Sequence, residues 1–288
     1  QKAASVGLLG LGFDAEHGGI PDADAFYVML AAIEMAKAAS GGVHISLMIH
    51  SIGTPPIHHF AQPGIRDQVI PQIIAGEKIS ALAITEPSGG SDVAAIKTKA
   101  VREGDYYILN GEKTFITSGI RADYYTVAVK TDPHATVAKG ISTLLVDAHS
   151  VGISKSPLKK MGWWASDTAH LHFDNVKVPV SHLLGEENAG FKVIMNNFNM
   201  ERFWLAAMAY GYALVCYGEA LDWAKQRQTF GKRLIDHQVP RHKLVDMATQ
   251  LATARALLED TAYRMGQKEL QGANLIAQVS MSKNVATR

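Results

Sequence analysis

The sequence predicts an α+β protein, with an N-terminal α-helical domain at residues 1–78, a central antiparallel β-barrel or sandwich at 79–186 and a C-terminal helical bundle at 187–288. Three observations predict it. Apolar residues recur at helical spacing up to about residue 78, short alternating segments parted by turn residues fill the middle, and long helical patterns return from Gly190. Strands that follow one another without helices between them favour antiparallel pairing over a doubly wound sheet.

In the first domain a short helix at 3–9 precedes a longer one at 22–39, which opens at Pro21-Asp22. Its Phe26, Met29, Leu30, Ile33 and Ala36 fall on one helix face, and Gly41-Gly42 breaks it. Shorter helices are expected at 43–51 and 65–75. A strand at 79–84 opens the middle domain, and a second at 101–109 turns at Glu103-Gly104-Asp105. Asn110-Gly111 predicts a further hairpin, because both central positions of its favoured turn need φ > 0. Strands at 124–129, 141–147 and 169–178 follow. The apolar run 203–218 is shorter than the roughly 20 residues a membrane span needs, so it is expected as a buried bundle helix. Gln1 opens the chain within a helical pattern and Arg288 closes it within another, uncapped, so further segments are expected at both ends.

Composition narrows the class. The 288 residues are 47% hydrophobic with net charge +1, which fits a globular protein without a long-range pull toward nucleic acid. The lone Cys216 makes no internal disulfide and favours a reducing compartment. No signal peptide is visible.

Three segments carry chemistry. In 82–91, followed by Asp92, a strand runs into Thr85-Glu86-Pro87-Ser88-Gly89-Gly90-Ser91. Pro87 stops the strand, the two glycines open backbone angles closed to other residues, and Thr85 and Ser91 offer hydroxyls. Such a loop suits a flat polar heterocycle, although an ordinary connection has the same composition. In 110–119 the strand after Asn110-Gly111 places Phe115 and Thr117 on one face, a ring to stack and a hydroxyl to bond an edge. In 226–232, continuing to His237-Gln238, an apolar helix ends in a basic, glycine-terminated corner suited to phosphate.

Together these segments resemble the acyl-CoA dehydrogenase flavoprotein family. The resemblance continues through Lys160-Met161-Gly162, Ser166-Asp167-Thr168, Val176-Lys177-Val178-Pro179, Asn188-Ala189-Gly190-Phe191-Lys192 and His242-Lys243-Leu244-Val245-Asp246-Met247, in order over almost the whole chain. It implies FAD as cofactor and α,β-dehydrogenation of an acyl-CoA thioester to a trans-2-enoyl-CoA. It further implies an electron-transfer flavoprotein as acceptor, a homotetramer, and a place in fatty acid β-oxidation in a bacterial cytoplasm or mitochondrial matrix. By the resemblance, cofactor contacts fall on Leu82, Ala83, Ile84, Thr85, Gly90, Ser91, Phe115, Ile116 and Thr117, with Thr85, Phe115 and Thr117 at the flavin ring. Arg227, Thr229 and Gln238 match contacts to the diphosphate and adenosine end of a neighbouring subunit's FAD, and Gln228, Phe230 and His237 lie with them. Many relatives have Trp where this chain has Phe115, so stacking is kept and an indole N–H is lost.

The family reaction needs a carboxylate base. Glu201, beside Phe203 and Trp204, matches the position that serves the isovaleryl-CoA and long-chain enzymes. Other members use a later carboxylate, which the missing C-terminal piece would carry. Read without the family, Glu201 is a first-turn acid complementing the helix dipole. Ser91, Asn199, Met200 and Arg202 match substrate contacts along the CoA portion, against plain readings of a turn serine, a helix cap and a surface ion pair for Ser91, Asn199 and Arg202.

A same-fold acyl-CoA oxidase or flavin monooxygenase is the enzymatic rival, and a non-catalytic flavin- or acyl-CoA-binding scaffold is the other. Gly7, Gly10 and Gly12 lack dinucleotide-fingerprint spacing. His170 and His172 share a strand face without an acidic or Cys partner at ligand spacing, so no metal is expected. His58-His59, after Pro55-Pro56, is expected in a surface loop or at a helix start. No Gly-x-Ser-x-Gly elbow is present.

Overall fold

The computed structural model describes residues 1–135 and 138–288. Its helices are α1 (Lys2–Ser5), α2 (Ala25–Ala36), α3 (Gly41–Met48), α4 (His50–Gly53), α5 (Pro55–Phe60), α6 (Pro63–Ile74), α7 (Gly190–Gln226), α8 (Gln238–Gly266) and α9 (Gly272–Ala286). The strands are β1 (Ser80–Ala83), β2 (Lys99–Glu103), β3 (Tyr106–Thr117), β4 (Tyr124–Lys130), β5 (Ile141–Asp147), β6 (Ile153–Pro157), β7 (Thr168–Pro179), β8 (Leu183–Leu184), β9 (Gln228–Thr229) and β10 (Lys232–Arg233). Helices, then strands, then helices is the predicted order. By internal contacts the chain forms two compact units, one of residues 1–21 and 42–198, the other of 22–41 and 199–288.

The first unit is built on a sheet ordered β6-β7-β3-β2-β4-β5-β8, with β1 also on β4. It corrects the expectation of an antiparallel barrel or sandwich. The sheet is open and mixed: among the described residues β6 pairs only with β7 and β8 only with β5, and β1 runs parallel to β4 from Ser80↔Tyr124 to Ala83↔Val127. The parallel pair arises because β2 and β3, themselves an antiparallel pair, intervene and return the chain to start β4 in the direction of β1. One sheet face buries Tyr107, Leu109, Tyr125, Val127, Leu144, Val146, Leu171 and Phe173. Leu145, pointing the other way by strand alternation, joins Phe13, Ile57, Ile70, Ile73 and Leu184 in a second cluster with α5 and α6. Thr54 and Ser80 hydroxyls meet at 2.6 Å and Thr126 Oγ1 donates to Gly53 O at 3.0 Å, fastening α4 to the sheet.

The hairpin expected at Asn110-Gly111 is absent. Both residues lie inside β3, where the register against β7 slips between Leu109 and Gly111. Gly111 holds φ +141°, and a Cβ there would meet Thr98 Cα at 2.7 Å. Asn110 Oδ1 accepts the Asn175 N–H at 2.8 Å, so the pair marks a bulge that β7 covers. Of the two expectations for His58-His59 the helix start holds: Pro55 opens α5, with His58 buried within it and His59 exposed.

In the second unit α2 begins at Ala25, because the Asp24 carboxylate accepts the Phe26 and Tyr27 N–H groups. Its buried positions are Ala25, Met29, Ala32 and Ala36, while Leu30 is exposed. Small residues let α7 approach: a Cβ on Gly211 would meet Ala36 Cβ at 2.7 Å. Helices α8 and α9 meet at a buried polar seam. Thr261 and Ser282 hydroxyls lie 2.8 Å apart, and Gln278 Nε2 donates to Thr261 Oγ1 and Asp260 Oδ2, each at 3.1 Å.

Candidate active site

In the first unit the loop after β1 is clamped from beneath. Glu86 is buried, and its carboxylate accepts the N–H groups of Lys97 at 2.6 Å and Thr98 at 2.9 Å. Lys113 Nζ, fully buried on β3, donates to Glu86 Oε1 and to Ile84 O, both at 2.9 Å. Thr114 N–H donates to Thr85 O at 2.8 Å. These bonds bring the segments 82–91 and 113–117 together. Leu82 and Thr85 are half-buried, Ala83 and Ile84 are buried, and Gly90 and Ser91 stand exposed at the loop tip. Neither Gly89 nor Gly90 takes a positive φ, contrary to the expectation for this turn. Gly90 instead lies close to Thr85, where a Cβ would meet Cγ2 at 3.2 Å. Lys113 was missed in the sequence: a lysine between polar neighbours gives no sign of burial.

Phe115 interrupts the strand alternation. The β3–β7 register slips between Lys113 and Ile116, and Phe115 sits there at φ +59°, 69% exposed. Positive φ at a bulky residue is strained, and the strain here aims an aromatic ring out of the sheet. Ile116 is buried behind it. Thr117 lines a cavity of about 300 Å3 with Ile45, Lys160, Trp163, Ser166 and Thr168. Lys160 Nζ donates to the Trp163 and Ser166 carbonyls, and Trp164 Nε1 donates to Lys160 O at 2.8 Å. The loop thereby presents two exposed indoles that sequence reading passed over. An outward phenyl, a cavity lined by hydroxyls and nearby indole faces fit a flat tricyclic ring with hydrogen-bonding edges.

Asn199, Met200, Glu201 and Arg202 lie on α7, in the second unit. The helix starts at Gly190, so Glu201 lies well beyond its first turn and Asn199 is no cap; the dipole and cap readings both fail. Glu201 Oε2 is buried without a hydrogen-bond partner. Burial pushes its carboxyl up to about 7, with the Arg202 charge pulling the other way. The buried Phe203 and Trp204 follow it directly. Asn199 and Arg202 are half-buried and Met200 exposed.

The basic corner after α7 is a hairpin. Gln228 and Thr229 pair with Arg233 and Lys232. Phe230 at φ +51° and Gly231 at φ +79° make the turn, the primed geometry suited to two-residue loops. Phe230 is 98% exposed. His237 Nε2 lies 3.2 Å from Thr229 Oγ1 and 3.1 Å from Thr229 O, while Arg227, Gln228 and Gln238 are exposed.

His170 and His172 do have an acidic neighbour, contrary to expectation. Glu112, in register with His172 on β3, lies 3.6 Å from His170 Nε2 and 3.5 Å from His172 Nδ1. Spacing along one strand does not reveal a partner on the next.

Comparison with known proteins defines the class. The chain matches the acyl-CoA dehydrogenase N-terminal domain over residues 1–77, the middle domain over 81–176 and the C-terminal domain over 188–288. It is 36% identical over 289 residues to an acyl-CoA dehydrogenase of Bacillus subtilis, covering 100% of this chain and 74% of that protein. The mitochondrial long-chain specific acyl-CoA dehydrogenase of Rattus norvegicus is 37% identical over 277 residues, or 95% of this chain and 64% of its own length. A probable acyl-CoA dehydrogenase of Mycobacterium abscessus superposes with TM-score 0.93 at 42% identity, covering 99% of this chain and 74% of that one. The chain belongs to the acyl-CoA dehydrogenase family of FAD-dependent oxidoreductases.

Proposed function

We propose that this chain catalyses α,β-dehydrogenation of an acyl-CoA to the trans-2-enoyl-CoA, with Glu201 as the base that takes the α-proton. The buried Glu201 Oε2, without a hydrogen-bond partner, supports this reading. The α-proton of a thioester is weakly acidic. A base raised to about 7 holds the proton well once taken yet is still ionised in a useful fraction at neutral pH. Its orphan oxygen keeps a lone pair free for the proton, and its burial limits competition from water. Bound FAD supplies the acceptor for the β-hydride. Thr85, Phe115 and Thr117 would hold and shield its ring, with Leu82, Ala83, Ile84, Gly90 and Ile116 shaping the seat. Ser91, Asn199, Met200 and Arg202 would hold the CoA arm. Arg227, Gln228, Thr229, Phe230, His237 and Gln238 would grip a neighbouring subunit's cofactor, which requires an oligomer, a tetramer by the family's habit. Electrons would leave to an electron-transfer flavoprotein, in a bacterial cytoplasm or a mitochondrial matrix. Among the described residues no helix is long and apolar enough to cross a membrane.

The test is anaerobic bleaching of the FAD-loaded protein by acyl-CoAs of graded length and branching. Bleaching by one class, abolished in Glu201→Gln with FAD still bound, supports the reaction and the base together. Bleaching that survives the substitution removes Glu201 as base, and no bleaching by any acyl-CoA sinks the dehydrogenation itself. Slow reoxidation in air separates a dehydrogenase from an oxidase.

A further inference from the structure

We propose that Asp14, His17 and His58 form a binding site for a divalent transition-metal ion of the zinc class, built from residues that take no part in the flavin or substrate seats. Asp14 Oδ2 lies 3.8 Å from His17 Nδ1 and 3.7 Å from His58 Nε2. The three potential ligand atoms lie within 4.8 Å of one another. Tetrahedral zinc with bonds of about 2.0–2.1 Å separates its ligand atoms by about 3.4 Å, so small side-chain rotations bring this set to coordination distance.

The hydrogen bonding selects the ligand atom. His17 is only 5% exposed, and its Nε2 lies 3.0 Å from Asp67 Oδ1. A carboxylate there fixes the proton on Nε2 and leaves the Nδ1 lone pair facing Asp14. That Nδ1 is buried without a hydrogen-bond partner. An imidazole whose outer nitrogen is held by a carboxylate while its inner nitrogen points unbonded at a second carboxylate has the arrangement of a metal ligand awaiting its ion. His58 is 8% exposed, and its ring packs edge-to-face with Phe13, the two ring centroids 5.1 Å apart, so that Phe13 walls that side. Asp14 is half exposed, so the fourth position is open to solvent and the ion has a way in. The surroundings are net acidic, which favours a cation: Glu16 lies 3.9 Å from His17 Nε2 beside Asp14 and Asp67, while Arg66 contacts Asp67 at 3.4 Å.

A buried imidazole nitrogen left unsatisfied destabilises the fold, and a metal would turn that penalty into a cross-link. Occupancy would tie the loop carrying Asp14 and His17 to α5. The residues were hidden in the sequence because His58 reaches the site from a separate helix, with no motif spacing linking it to the other two.

Equilibrium dialysis of the FAD-loaded full chain against zinc chloride, with bound metal counted by atomic emission, tests the site. One equivalent bound with Kd at or below about 10 μM is expected. X-ray absorption at the zinc edge should report two imidazoles. Asp14→Asn changes a half-exposed side chain and is expected to keep the fold while weakening zinc binding at least about 10-fold, the effect of losing one ligand or its support. His58→Gln should do the same, and the pair His170→Gln with His172→Gln should leave binding unchanged. Absence of binding, binding that survives Asp14→Asn, or loss confined to the His170/His172 variant would overturn the proposal. Because zinc content is read independently of turnover, its failure is distinguishable from failure of the catalytic reading.

Discussion

Lys113 and Glu86 form a buried ion pair, with Nζ 2.9 Å from Oε1 and the lysine wholly out of solvent. Burial pushes the Lys113 ammonium down to about 8, with Glu86 opposing. Burial alone would raise Glu86, but Lys113 and the hydrogen bonds from Thr98 and Lys97 hold its carboxyl below the usual range. A pair of this kind is hard to break from one side, because the partner is left charged and dry. Lys113→Met should therefore cost about 3–5 kcal/mol. Thermal unfolding should show a loss of about 10 °C in Tm, with weakened FAD retention as the loop above Glu86 loosens.

Glu201→Gln keeps shape and polarity but cannot take a proton. Flavin reduction by the best acyl-CoA should slow by about 100- to 10,000-fold, with the flavin spectrum of the oxidised protein unchanged. Stopped-flow absorbance of the FAD-loaded variant measures both.

The raised Glu201 carboxyl has opposite consequences for rate and stability. The base must be ionised to act, so kcat/KM should rise with pH through about 7 and level above it. Stability runs the other way. The folded state holds this proton up to about 7, whereas the unfolded chain releases it near 4.5. Between those values the folded state binds more protons, so stability falls as pH rises. Glu201→Gln should accordingly be more stable than the parent at pH 8, by up to about 3 kcal/mol. The gap should close below pH 4.5, as melting curves of both proteins across pH would show.

Phe230 occupies a left-handed turn position at which asparagine or glycine is the ordinary choice. Phe230→Asn should stabilise the chain by about 1 kcal/mol by relieving that strain. If the exposed ring covers a neighbouring subunit's cofactor, the same variant should lose FAD faster on dilution. Paired melting and flavin-release measurements would show the two effects with opposite sign.

The helix–strand–helix order was legible because periodicity reports which face of an element is apolar. What periodicity does not report is pairing. The parallel β1–β4 contact depends on where β2 and β3 return the chain, which no local pattern encodes. Asn110-Gly111 satisfies the chemistry of a hairpin turn, but Asn110 finds its partner in Asn175 on β7, and that distant bond converts the signal into a bulge. On α7 the return of helix at Gly190 was legible, but the first-turn reading of Glu201 is not sound, because the helix runs unbroken through Asn196 and Asn197. Buried Asn197 spends its amide on Ile52 O at 2.9 Å, a tertiary contact. In the candidate site, Thr85, Phe115 and Thr117 were legible as chemical types. Lys113, Trp163 and Trp164 were not, since their importance lies in burial and loop shape.

The seam between α8 and α9 determines how those two helices can pair. Apolar contacts tolerate a slip of one turn, because one methyl substitutes for another. Thr261, Gln278 and Ser282 do not, since their hydrogen bonds close in a single alignment. Sliding α9 by a turn would strip the Gln278 amide of its bonds to Thr261 and Asp260, even though Thr261 and Ser282 keep their bonds to Leu257 O and Gln278 O within their own helices. A buried amide left unpaired costs about 1–3 kcal/mol, enough to make every other register a minority species. The helix pair therefore behaves as a keyed joint, in which hydrophobic burial supplies adhesion and three polar side chains supply the key.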